Sequence, residues 1–117
     1  MKTFYNHLHA QHQGKVEMFR GALVPCFEVP ARADHVLAEL EAYAPLTSRG
    51  SYCIVFDTVV EDMPAEMFPD RPWGPGNNPK TAVWEYLKAH PEFEIDKSIQ
   101  HKLLITVAPD GFLKRIA

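Results

Sequence analysis

The feature that most constrains this chain is an apolar run at residues 52–56 that ends in a carboxylate, Asp57. Two further carboxylates, Glu61 and Asp62, follow four and five residues later. β-Branched and aromatic residues dominate the run without polar alternation, so the pattern predicts a strand covered by helices on both faces of a parallel sheet. Such a strand delivers its carboxylate to the sheet edge where ligands bind. We therefore predict that Asp57, Glu61 and Asp62 bind a hard cation.

Length and composition describe one globular domain. The chain has 117 residues, of which 46% are hydrophobic, and a domain of this size buries roughly two-thirds of its unfolded surface. Its 12 basic and 15 acidic residues are interspersed, which predicts neither a nucleic-acid nor a membrane partner. No apolar segment approaches the roughly 18 residues that a membrane span needs, and the polar start does not resemble a signal peptide. These features favour the cytoplasm.

The two cysteines, Cys26 and Cys53, lie in apolar surroundings and lack CxxC spacing. A zinc site needs about four ligands, and the sequence offers no such cluster around either cysteine. We expect both to be small buried hydrophobic residues that form no disulfide.

Two amphipathic helices are predicted. The first covers residues 34–44 with Asp34 as its N-cap, and the second covers residues 79–90 with Asn78 as its N-cap and Pro79 in its first turn. In both, apolar residues recur at helical spacing and define the buried face. These residues are Val36, Leu37, Leu40, Tyr43 and Ala44 in the first helix and Ala82, Val83, Tyr86 and Leu87 in the second.

The end of the chain is predicted to be extended. Residues 93–99 and 102–107 are strand-like, and a turn at residues 108–111 joins the second run to a last strand at residues 112–116. The order helix, strand, long loop, helix, strand, strand is half of a doubly wound α/β fold. We therefore expect a mostly parallel sheet that ends in an antiparallel strand hairpin.

Three long stretches carry a resemblance to a known family: FDTVVEDMP, DRPWGPGNNP and HKLLITVAPDG. Residues 34–116 resemble the C-terminal part of the cephalosporin hydroxylase and rhamnosyl O-methyltransferase family, a class I S-adenosylmethionine-dependent methyltransferase-like group. Residues 1–33 form a divergent lead segment without assignment. The resemblance implies the C-terminal half of a Rossmann-like methyltransferase fold in residues 34–117.

The resemblance also implies a reaction. A magnesium ion, with Asp57 as its strand-end ligand and Glu61 and Asp62 completing or flanking the site, would bind and acidify a hydroxyl on a sugar or related small molecule. That hydroxyl would attack the methyl group of S-adenosylmethionine in line. Three histidines fall within the matching part, His35, His90 and His101, and spacing alone assigns none of them as the base.

One departure from the family pattern is large. The cofactor-binding half of such a fold needs a glycine-rich turn between a strand and a helix, and this sequence contains none. We therefore expect a truncated methyltransferase that is inactive alone. Two alternatives stay open: an interaction module that pairs through an exposed sheet edge with a copy of itself or a complementary chain, and a cephalosporin hydroxylase-type iron enzyme, for which a histidine pair is missing.

Overall fold

The computed structural model describes residues 32–117. The lead segment up to residue 31, including Cys26, lies outside the described residues, and a domain boundary near residue 33 stays a prediction. The elements are α1 (Ala33–Tyr43), β1 (Tyr52–Ile54), α2 (Pro79–Ala89), β2 (Phe93–Ile95), α3 (Lys97–Leu103) and β3 (Phe112–Arg115), with short 3-10 helices at Ala44–Leu46, Thr58–Asp62 and Ala65–Met67. No helix in this part of the chain is long and apolar enough to cross a membrane.

The strands form one antiparallel sheet in the order β1-β3-β2. Leu113 in the central strand lies opposite Cys53 on one side and opposite Ile95 on the other. The α/β class is confirmed, but the predicted parallel sheet is not what the described strands form. The physical reason is that β3, the last strand, enters between β1 and β2 and runs antiparallel to both.

The prediction that residues 52–56 are covered on both faces is wrong. Cys53 and Val55 are buried, whereas Tyr52, Ile54 and Phe56 are between 36% and 47% exposed. This alternation is typical of an antiparallel strand with one face on the core. The core cluster comprises Val36, Leu40, Ala44, Cys53, Val55, Ala82, Val83, Tyr86, Phe93 and Leu113. Burial raises the pKa of the Cys53 thiol to about 11, which agrees with the prediction that Cys53 is a small buried hydrophobic residue.

Helix α1 lies where the apolar spacing predicts it, but its N-cap differs from the prediction. The cap residue is Arg32, and Asp34 lies in the first turn, where its carboxylate pairs with the Arg32 guanidinium at 2.8 Å. The N–H of Ala33 donates instead to Oδ1 of Asn77, 44 residues away, at 2.9 Å. A distant loop therefore supplies the acceptor that the local sequence was expected to supply.

The predicted strand at residues 102–107, and with it the terminal hairpin, is wrong. Lys97–Leu103 is a helix because Asp96 caps it, its carboxylate accepting the N–H of Ser98 at 2.9 Å. The helix ends at Leu104, which has a positive φ of 64°. The turn is confirmed by the hydrogen bond from the Gly111 N–H to the Ala108 carbonyl, at 2.9 Å.

Candidate functional site

The three predicted site residues lie in the segment that follows β1, which ends at Ile54. Asp57 is exposed and has a left-handed backbone conformation with φ of 59°. Left-handed conformations are uncommon outside glycine, asparagine and aspartate, so this residue type suits the sharp turn from the strand. Glu61 and Asp62 follow in the 3-10 helix Thr58–Asp62 and lie against the start of α2. The structure thus brings the last two carboxylates to the N-terminus of a helix.

Glu61 is hydrogen-bonded to the loop that precedes α2. Its Oε2 accepts a hydrogen bond from the N–H of Gly76 at 2.8 Å and a second one from Nδ2 of Asn78. One oxygen of the carboxylate is therefore committed to two donors. These two hydrogen bonds fix the position of the Glu61 carboxylate without any metal.

Asn78 is the centre of this arrangement and is fully buried. Its Oδ1 accepts the N–H groups of Lys80 at 2.9 Å and Thr81 at 3.3 Å, and its Nδ2 also donates to the Gly74 carbonyl at 2.9 Å. Thr81 completes a capping box, since the Asn78 N–H donates to its hydroxyl oxygen at 3.1 Å. The cap predicted at Asn78 is confirmed, and it also ties the long loop to Glu61.

Asp62 is paired with a buried cation. Nζ of Lys80 lies 2.7 Å from Oδ2 of Asp62, and the lysine side chain is only 8% exposed while that of Asp62 is 51% exposed. The same ammonium lies 6.0 Å from the centre of the Trp84 ring, within cation–π range. Because a buried ammonium needs a counter-ion, Asp62 is the group that makes the burial of Lys80 tolerable.

These contacts do not fit a three-carboxylate magnesium site. Within residues 32–117, no group of three histidine, cysteine or acidic side chains lies close enough together to hold a metal ion. Glu61 is held by two N–H donors, and Asp62 already faces a positive charge at ion-pair distance. The carboxylate of Asp57, by contrast, has no hydrogen-bond or ion-pair partner in the described part of the chain, although its backbone carbonyl accepts the Val60 N–H at 3.2 Å. The magnesium assignment stays a prediction.

The histidines do not single out a base. His90 lies between two carboxylates, with Nδ1 3.0 Å from Glu92 and Nε2 3.1 Å from Glu41, and its ring stacks on Tyr86 at 3.9 Å. Burial lowers the pKa of His90, but hydrogen bonds to both carboxylates outweigh it and raise the pKa above its ordinary value of 6.5. Both ring nitrogens are occupied, so His90 connects α1 to the segment after α2.

The other two histidines lie at the surface. Nε2 of His35 lies 3.5 Å from Glu39, one helical turn away, and its side chain is 44% exposed. His101 is exposed on α3, at the rim of an open concavity that it shares with Leu104 and Ile105. The base therefore stays unassigned.

Sequence reasoning missed two residues of this site. Lys80 pairs with Asp62, and its ammonium lies over the Trp84 ring, but neither Lys80 nor Trp84 was predicted to take part. Their spacing of four along a helix could have indicated a shared face. No sequence signal marks the burial of Lys80, because a lysine in a helix is ordinarily exposed.

Comparisons with known proteins agree with the resemblance. Residues 10–116 match the model of the family described as rhamnosyl O-methyltransferase/CmcI. The rhamnosyl O-methyltransferases of Mycobacterium tuberculosis H37Rv and Mycobacterium bovis BCG are each 36% identical over 83 residues, which is 70% of this chain and 31% of the relative.

A second similarity is shorter. Acetylpolyamine amidohydrolase 2 of Pseudomonas aeruginosa is 45% identical over 42 residues, which is 36% of this chain and 12% of that enzyme. The chain thus spans less than a third of the length of the curated relatives it matches. No solved structure matches. Since the family match extends over almost the whole chain, this protein belongs to the rhamnosyl O-methyltransferase/CmcI family.

Proposed function

We propose that this chain forms the carboxyl-terminal part of an O-methyltransferase that moves a methyl group from S-adenosylmethionine to a hydroxyl of a sugar or related small molecule. The observation that carries the proposal is the family match over residues 10–116. The relatives named rhamnosyl O-methyltransferase support the sugar as acceptor. In this reaction the hydroxyl oxygen forms a bond to the methyl carbon, its proton passes to a base, and the sulfonium leaves as a thioether.

The described residues support a positioning role in this reaction. The loop between Asp57 and Asn78 is anchored at Glu61 and, through Asp62, at the buried Lys80. Asp57 remains exposed at the end of β1, and strand-end carboxylates in α/β folds commonly face the ligand. We propose that the anchored loop holds Asp57 toward the acceptor hydroxyl, where an anion can accept a hydrogen bond.

The isolated chain is expected not to bind S-adenosylmethionine. The sequence lacks the glycine-rich strand-turn-helix that places a helix N-terminus against such a cofactor. Isothermal titration of the 117-residue chain with S-adenosylmethionine is expected to give only heats of dilution. Micromolar binding by the isolated chain would show that it carries a complete cofactor site of another design.

A chimera tests the methyltransferase role itself. The matching 83 residues of this chain replace the aligned part of the mycobacterial rhamnosyl O-methyltransferase, and methyl transfer to a rhamnosyl acceptor is measured. We expect a folded chimera that binds S-adenosylmethionine and transfers the methyl group, and we expect Asp57→Asn to reduce the rate by about tenfold or more. A folded, cofactor-binding chimera without any transfer would contradict the proposed role.

The magnesium hypothesis requires a separate experiment. Magnesium binding by Oε2 of Glu61 and Oδ2 of Asp62 would require these oxygens to leave Asn78 and Lys80, so we derive no step through the ion. We expect the chain to have the same melting temperature in a magnesium salt as in sodium chloride of equal ionic strength. A ligand that binds only the folded state must raise that temperature. A magnesium-specific rise that Asp57→Asn removes would establish the carboxylates as ligands.

A further inference from the structure

His90 lies between two carboxylates that come from different parts of the fold. Its Nε2 lies 3.1 Å from Glu41 in the last turn of α1, and its Nδ1 lies 3.0 Å from Glu92, which precedes β2. Glu41 is 49 residues away in the sequence, so tertiary packing alone brings it to the ring. An ionised carboxylate can only accept hydrogen bonds. Both ring nitrogens must therefore donate for both contacts to be hydrogen bonds.

Two donors require a charged ring. A neutral imidazole has one N–H and one lone pair, whereas the imidazolium has an N–H at each nitrogen. If the ring of His90 were neutral, one of the two glutamates would face a lone pair at hydrogen-bond distance. The side chain of His90 is only 21% exposed, so little water can enter to relieve that contact. The arrangement therefore fits the protonated form of the ring.

The helix ends around the ring also favour a positive charge. His90 is the C-cap residue of α2, and its partner Glu41 lies near the C-terminal end of α1. The C-terminus of a helix carries a partial negative charge, which a nearby cation stabilises. The last turn of α1 contains no basic residue of its own. A protonated His90 supplies a cation to the ends of both helices.

Among the described residues, the other titratable groups near His90 leave this preference unchanged. Tyr86 stacks on the ring, and burial raises its pKa to about 12, so it stays neutral where a histidine titrates. Lys88 is exposed and is paired within α2. The pKa of Glu92 is lowered, chiefly by its own backbone and by His90, and Arg115 on β3 adds to this effect. Glu92 therefore stays an anion beside the ring.

We propose that His90 is a pH-dependent link, which fastens α1 to the start of β2 when the ring is protonated and releases Glu41 when the ring is neutral. Glu41 is the partner released because its side chain is 52% exposed and water can solvate it, whereas that of Glu92 is 32% exposed. The backbone of Glu92 is also held, since its carbonyl accepts the Ile116 N–H at 2.8 Å. The neutral ring then keeps its proton on Nδ1, toward Glu92. This link does not depend on the proposed methyl transfer.

Protonated His90 stabilises the fold more at low pH than at high pH. Burial lowers the pKa of His90, but hydrogen bonds to Glu92 and Glu41 outweigh burial and raise the pKa above its ordinary value of 6.5. The folded chain thus binds this proton more tightly than the unfolded chain does. The stabilisation is complete below the unfolded pKa and is lost as the pH rises through the folded pKa.

An NMR titration of the His90 ring in the 117-residue chain tests the link directly. We expect a pKa above 6.5 that Glu41→Gln lowers, and ring nitrogen shifts at high pH that show the Nδ1–H tautomer. Glu39→Gln is the matched control, because it removes a carboxylate of the same helix that lies beside His35 instead, and its effect on the His90 pKa is expected to be smaller. A wild-type pKa at or below 6.5, an Nε2–H tautomer, or equal effects of the two variants would overturn the proposal.

Thermal unfolding tests the consequence for stability. Between about pH 5.5 and about pH 8.5, the melting temperature of the wild type is expected to fall by about 2 °C or more beyond the fall of His90→Gln. His35→Gln removes an exposed histidine that lies 3.5 Å from a glutamate, and it is expected to keep the wild-type pH dependence. Identical pH dependence in the wild type and His90→Gln would contradict the link. If His90→Gln does not fold, the titration of the wild-type ring still decides the question.

Discussion

Replacing Gly111 with alanine is expected to cost the fold about 3 kcal/mol, because the added carbon has no space. A Cβ at this position would lie 2.1 Å from the Val55 carbonyl oxygen and 3.2 Å from the Ala108 Cβ. The close approach comes from the junction of β1 with β3, where the Val55 N–H donates to the Gly111 carbonyl at 2.8 Å. Relief requires the two backbones to separate, which breaks this bond. Urea unfolding measures the loss.

Gly76→Ala is the matched control for this substitution. Gly76 has a φ of 87°, but a Cβ there would have no atom within 4 Å. Its cost is therefore the left-handed conformation alone, about 1 kcal/mol. Since a domain of this size is stable by only about 5–15 kcal/mol, the two variants are distinguishable by their unfolding midpoints. Equal losses for Gly76→Ala and Gly111→Ala would contradict the close contact.

Asn78→Ala is expected to lower the free energy of unfolding by about 3 kcal/mol, the sum of a lost cap and of buried groups left unpaired. The substitution removes the acceptor of the Lys80 and Thr81 N–H groups. It also removes the donor to Glu61 and to the Gly74 carbonyl. The loop before α2 then loses one of its two hydrogen bonds to Glu61 in the segment after β1. Thermal and urea unfolding measure the effect.

Two further variants make this expectation specific. Asn77→Ala also removes a helix cap, that of Ala33, but at an exposed position, and is expected to cost only about 1 kcal/mol. Glu61→Ala combined with Asn78→Ala is expected to cost less than the sum of the single variants, because both remove the same contact. Additive losses would show that Glu61 and Asn78 act independently.

The helices of this protein were predictable because their signals are local. Helix α2 begins at an Asn-Pro pair whose side chain and missing N–H both suit a helix start. Its apolar stripe, Ala82, Val83 and Tyr86, is buried as the spacing predicts. The strands predicted at residues 93–99 and 102–107 are wrong beyond Ile95, because the prediction gave more weight to the apolar residues than to the helix cap at Asp96. Asp96 binds Ser98 and Tyr52, which hold its pKa at about 2 and keep it charged as a capping group.

The orientation of the sheet was not predictable from the same signals. An apolar run such as residues 52–56 has the same composition whether its partner is parallel or antiparallel. The position of β3 between β1 and β2 makes both strand pairs antiparallel. One face of β1 is on the core and the other is exposed. Strand pairing joins residues far apart in the chain, such as Cys53 and Leu113, so no local pattern encodes it.

The sequence by itself determined the family, the two long helices and the position of three carboxylates after an extended segment. Only the tertiary structure decided what those carboxylates do. Glu61 meets Asn78 and Asp62 meets Lys80 across 17 and 18 residues, because α2 packs against the 3-10 helix that carries them. The sequence gives the sign of a side-chain charge but does not show which group it will contact. The chemistry of a carboxylate depends on the donor or cation that folding places within hydrogen-bond distance.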